Sequence, residues 1–133
     1  MVRKTAYVGL LILLLGGIYL YHDIFLAKLS PGFRFEKYKT AELAKDALLK
    51  LYPVGTPQAK IAETLKKAGA NVEYINKKDL PYKSWTEEGV YGAIYYDYYH
   101  KGVLFGYDWG GAILYGKDGT ILSIGISRHF NGP

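Results

Sequence analysis

Residues 90–99 read Val-Tyr-Gly-Ala-Ile-Tyr-Tyr-Asp-Tyr-Tyr. Aromatic and β-branched side chains at this density favour an extended strand. The next segment keeps a period of two, with Val103, Phe105, Tyr107 and Trp109 alternating with smaller or polar residues. Between the two, His100-Lys101-Gly102 reads as a hairpin loop, with Gly102 supplying the positive φ. Gly110-Gly111 marks a bulge or turn, and Ala112 to Tyr115 continues in strand. Lys117-Asp118-Gly119 makes a second hairpin loop. Leu122, Ile124 and Ile126 then alternate with Ser123, Gly125 and Ser127, so the last strand should bury one face and wet the other. This third of the chain is an antiparallel meander of three or four strands.

Upstream the period changes. Asn71 to Glu88 is polar and irregular, with a short extended piece at Val72–Ile75. Before it, Ile61, Leu65 and Ala68 form the apolar stripe of a helix closed by Gly69, which accepts the left-handed conformation of a C-terminal cap. Gly55-Thr56-Pro57 opens that helix: Thr56 is the expected N-cap, accepting from the backbone N–H of Gln58 or Ala59, and Pro57 the first helical residue. An earlier helix, capped by Thr40 and stopped by Pro53, places Ala44, Ala47, Leu48 and Leu51 on one face. Lys28 to Lys39, with its Ser30-Pro31-Gly32 turn, reads as a linker.

The N-terminal segment sets its own expectation. Arg3 and Lys4 precede an apolar run from Ala6 to Tyr21, which His22-Asp23 interrupts and Ile24 to Ala27 extends. As a helix the run is about 24 Å long, or about 33 Å out to Ala27, against ~30 Å of hydrocarbon. Tyr7, Tyr19 and Tyr21 are placed for the two membrane interfaces. A cleaved signal peptide needs small residues before the cut, and a cut after Ala27 places Phe25 three residues back. The expectation is therefore an uncleaved signal anchor at 1–27, a linker at 28–39 and one small domain at 40–133. The α+β class then includes an N-terminal transmembrane helix, two short helices and the meander. The implied location is single-pass in the inner (plasma) membrane, with the C-terminal domain on the non-cytoplasmic side and membrane lipid as one partner.

The 133 residues carry 17 Lys and Arg against 12 Asp and Glu, a formal charge of +5. The lysines are scattered and no nucleic-acid-binding motif is present, so nucleic acid is not an expected partner. The chain has no cysteine, which excludes disulfides, thiolate metal sites and a cysteine nucleophile.

Val54-Gly55-Thr56 at the start of the second helix, with the strand, short loop and strand of Ala112 to Ile126, resembles the SmpA/OmlA (BamE-like) small α+β domain. The likeness covers roughly residues 40–128, and Ala68-Gly69-Ala70 matches the family's mid-domain turn in part, with no proline following. The resemblance implies a non-enzymatic accessory of envelope assembly or integrity, or a phospholipid-binding module. The chain departs from the family in having no lipid-accepting cysteine.

No constellation in the sequence carries catalysis, a cofactor or a metal. His22, His100 and His129 lack metal-ligand spacing, and Glu87-Glu88 project apart if extended. Ser123 and Ser127 have no partnering histidine, and the glycine-rich segments match no phosphate loop. The aromatic set points to binding instead. Tyr91, Tyr95 and Tyr99 share one strand face, Tyr96 and Tyr98 the other, and Tyr107 and Trp109 join one of these. One face must pack on the helices, and the second is free for a protein or lipid partner. Tyr91, Tyr95, Tyr99, Tyr107 and Trp109 are the candidate contact residues. The alternative is a small enzyme or enzyme inhibitor acting through Asp97 or His100.

Overall fold

The computed structural model describes residues 2–101 and 106–132, without the side chains of 2, 18–25, 27, 28 and 101. A long helix α1 (Val2–Leu29) leads into a 3-10 turn at Phe35–Lys37, then α2 (Ala41–Leu51) and α3 (Gln58–Lys67). Strand β1 (Asn71–Asn76) follows, then a second 3-10 turn at Lys77–Asp79, the short α4 (Lys83–Glu87), β2 (Gly92–Lys101), β3 (Gly106–Tyr115), β4 (Ile121–Ile124) and β5 (Ser127–Asn131). The strands form one antiparallel sheet in the order β1-β2-β3-β4, with β5 continuing alongside β3. The α+β class and the antiparallel pairing thus stand, with five strands in place of the three or four expected.

The membrane helix does not. Among the described residues no helix is long and apolar enough to cross a membrane. The apolar run from Ala6 is broken at His22-Asp23, about 24 Å along and short of a ~30 Å hydrocarbon core. The expected transmembrane helix, signal anchor and single-pass location are withdrawn together. The side chains of Tyr19, Tyr21 and His22 lie outside the described residues.

Local chemistry explains the helices. Thr40 has extended backbone and its hydroxyl accepts the Leu43 N–H at 3.2 Å, capping α2 as expected. Gly69 ends α3 at φ 96°, with Gly69 N–H donating to the Lys66 carbonyl and Ala70 N–H to Leu65, a paired C-terminal cap. The start of α3 differs from expectation. Pro57 is the N-cap, and the Thr56 hydroxyl donates back to the Pro53 carbonyl at 2.7 Å. Thr56 is held elsewhere: its carbonyl accepts the Ile121 N–H, and Ile121 O accepts the Gly55 N–H. A short bridge to β4 has replaced the side-chain cap.

The core lies between α2, α3 and one face of the sheet. Leu48, Ile61, Leu65, Ile94, Ile113 and Ile121 are fully buried. Phe33 and Phe35, in the stretch read as a linker, belong to this core. Along β4 the buried residues are Ile121 and Ile124, while Leu122 is exposed. The register explains the change of phase. Tyr115 pairs with Ile121 and Leu114 with Ser123, so Leu122 is the extra residue of a bulge. Gly110 and Gly111 sit in unbroken register opposite Asp97 and Tyr96. Gly111 is required for a different reason: a Cβ there would lie 2.0 Å from the Gly125 carbonyl oxygen, which accepts the Tyr96 hydroxyl at 2.7 Å.

Candidate functional site

The pairing of β2 with β3 sorts the aromatic residues. Tyr98 stands opposite Trp109 and His100 opposite Tyr107, so these four share the face that carries Ile94, Ile113 and the helices. Tyr107 and Trp109 therefore join Tyr96 and Tyr98, not Tyr95. Tyr95 and Tyr99 face the other way, opposite Ala112 and Asp108. Tyr91 stands apart at the end of the sheet, half exposed, with Lys77 Nζ 5.9 Å from its ring centre. The five candidate residues thus occupy three places. His100 is in β2, not in a loop, and Gly102, Val103 and Phe105 lie outside the described residues.

On the outer face a groove of about 670 Å³ opens around Tyr95. Its floor is Tyr95 and Ala112, one wall is Asn71 to Glu73 of β1 with Asp97, and the other is Tyr82 and Trp85. The last two come from the connection between β1 and β2, which folds back over the sheet. Their rings meet edge to face at 4.8 Å. The helix α4 that carries Trp85 is only Lys83–Glu87, closed by Gly89 at φ 89° with Val90 N–H donating to the Trp85 carbonyl. Burial, then Tyr82 and Glu73, push the Tyr95 hydroxyl pKa upward. Asn71 Nδ2 donates to Asp97 Oδ2 at 3.2 Å. Among the described residues no ion pair neutralises Glu73 or Asp97.

The inner face holds a second cluster. Glu36, in the first 3-10 turn, is nine-tenths buried; its Oε1 accepts the Tyr98 hydroxyl and lies 3.6 Å from His100 Nδ1. Burial, then the bond to Glu36, raise the Tyr98 pKa well above the ordinary phenol value. Beside it the Arg128 guanidinium stacks on Tyr107 at 3.6 Å and donates through Nη1 to the Lys39 carbonyl at 2.5 Å. Glu36 Oε2 and Arg128 Nε are both buried and have no hydrogen-bond partner among the described residues. A small cavity of about 200 Å³ adjoins these residues. Its lining includes Phe35, Tyr38, Lys39 and Trp109 besides these residues.

Among the described residues no group of His, Asp and Glu could hold a metal ion. Asp97 and His100 lie on opposite faces of β2, so each would have to work without the other. Glu87 pairs loosely with Lys83 at 3.9 Å, and His129 is exposed on β5 opposite Asp108.

The chain matches no family model, no curated protein and no solved structure. The likeness to SmpA/OmlA domains rests on the short motifs that carry it. Tyr82, Trp85, Glu73, Glu36 and Arg128 were not among the expected site residues. One signal was present for the first two: a Tyr and a Trp three residues apart, directly after Pro81 and short of the strand.

Proposed function

We propose that this chain is a non-enzymatic binding protein whose protein partner docks on the outer face of the sheet, in the groove around Tyr95. One observation carries the reading: three aromatic rings and two carboxylates that have no ion-pair partner among the described residues converge on an open groove beside an edge strand. Such a mixture of apolar surface and oriented polar groups is what recognition requires. Tyr107 and Trp109 serve the core and leave the partner surface; Tyr95 keeps its place in it, joined by Tyr82 and Trp85.

The test is photo-crosslinking in living cells from position 82, compared with position 60 on α3. A discrete adduct from 82 alone, lost on Trp85→Ala and retained on His100→Ala, is the expected result. An adduct that survives Trp85→Ala, or that forms equally from position 60, removes the groove as the docking site. Loss on His100→Ala with a folded protein favours the enzyme reading.

A further inference from the structure

We infer that the occupant of this groove is an extended basic segment of a protein, laid along the free edge of β1 with an arginine side chain held between the rings and the carboxylates. The inference rests on the reading of the groove as the partner site.

The edge comes first. β1 pairs only with β2, and among the described residues no other element sends a backbone hydrogen bond to β1. Three consecutive β1 residues, Asn71, Val72 and Glu73, line the groove. A strand added to this edge satisfies its exposed N–H and C=O groups and presents every second side chain to the outer face. A lipid headgroup does neither.

Charge comes second. The chain as a whole is basic, at +5, yet the groove presents Glu73 and Asp97 with no ion-pair partner among the described residues. Glu73 stands opposite Tyr95 and Asp97 two residues further along β2, so the two are diagonal neighbours on one face. Such neighbours are about 7–8 Å apart, near enough for one guanidinium to face both. An apolar side chain would bury these carboxylates unpaired, and an acidic one would be repelled. The choline cation of a phosphocholine headgroup would suit the rings, but it carries no N–H to donate to the carboxylates.

The rings come third. Tyr82, Trp85 and Tyr95 line the groove, and a planar cation stacks on aromatic rings while its edge donates to carboxylates. Arginine satisfies ring and carboxylate together, whereas lysine does so as a point charge.

The test uses the full chain and fluorescein-labelled octapeptides of alternating threonine and valine, with arginine, lysine, glutamate or leucine at the centre. Binding is read by anisotropy at physiological salt. The arginine peptide should bind tightest, the lysine peptide several-fold weaker, and the glutamate and leucine peptides at least about tenfold weaker. Glu73→Lys with Asp97→Lys should weaken the arginine peptide at least about tenfold while circular dichroism stays unchanged. If the leucine peptide binds as tightly as the arginine one and both are lost on Trp85→Ala, the groove stands and its basic occupant is refuted. If phosphatidylcholine vesicles bind in a Trp85-dependent way and no peptide does, the occupant is a lipid and the inference fails. If no probe binds, or Trp85→Ala changes nothing, the inference and the groove reading fail together.

Discussion

Phe35→Ala is the sharpest test of how the domain is held together. The Phe35 ring is fully buried. It stacks on Tyr98 at 4.8 Å, meets Phe33 edge-on at 5.1 Å, and lies 5.5 Å from Trp109 and 6.3 Å from Tyr96. Truncating a buried phenylalanine costs about 3–5 kcal/mol, and each well-placed ring pair contributes about 0.5–1.5 kcal/mol beyond area burial. Four ring neighbours keep this site off the lower end of the range, at about 4 kcal/mol. For a domain of this size that corresponds to a fall in Tm of about 15–30 °C. The assay is urea unfolding followed by circular dichroism, with Leu43→Ala as the control, since Leu43 is half exposed on α2 and its loss should cost under about 0.5 kcal/mol. A cost below about 1 kcal/mol for Phe35→Ala would show that the segment before α2 is not part of the core, and the packing of the inner face would have to be redrawn.

Gly111→Ala should cost at least about 3 kcal/mol in the same assay, because its Cβ meets the Gly125 carbonyl at 2.0 Å. Gly110→Ala, with its nearest contact at 3.2 Å, should be much milder, and equal effects would refute the close approach. Thr40→Ala should cost about 1 kcal/mol through loss of the α2 cap, while Thr56→Ser should leave the melting temperature unchanged, since any hydroxyl there reaches the Pro53 carbonyl. Asp118 accepts the Thr120 N–H at 3.1 Å and the Thr120 hydroxyl at 2.8 Å, and these bonds hold its pKa below the ordinary 3.8. A lowered folded-state pKa contributes stability above the ordinary value and loses it as pH falls through the lowered one. The advantage of the parent chain over Asp118→Asn should therefore shrink as the pH drops from 7 towards 2, and a gap that persists in acid would refute the account.

Local signals in the sequence proved reliable where a few adjacent residues decide the outcome. Thr40 capping α2, Gly69 closing α3 and Lys117-Asp118-Gly119 turning the hairpin are of this kind. Each depends on bonds within one or two turns of chain. Thr56 misled because Thr-Pro before a helix has the composition of a cap, and only the bridge to Ile121 diverts it. The β4 phase was lost to a single bulged residue, Leu122, which a period of two cannot reveal. Phe33 and Phe35 read as linker because neither lies in a periodic segment: Phe33 packs on Phe35 and Tyr38, and Phe35 on the distant rings of Tyr96, Tyr98 and Trp109. The site followed the same rule. Tyr95 was legible because strand alternation fixes its face. Trp85 and Glu73 were not, because only the fold of the β1–β2 connection brings them to Tyr95.

The contacts of the first 3-10 turn constrain how this protein can be made. Tyr98 donates to Glu36 across 62 residues, and Arg128 donates to the Lys39 carbonyl across 89. Helices α2 and α3 draw on local bonds and can form as soon as they emerge from the ribosome. Phe35 and Glu36 cannot leave water until β2 and β3, which supply Tyr96, Tyr98, His100 and Trp109, have been translated. At about 5–20 residues per second, roughly 5–20 s separate the synthesis of Lys39 from that of Arg128. Until Trp109 is made, Phe35 lacks the sheet rings that cover it. Arg128 on the C-terminal strand then bonds Lys39, so a contact made late in synthesis fastens a segment that precedes both core helices.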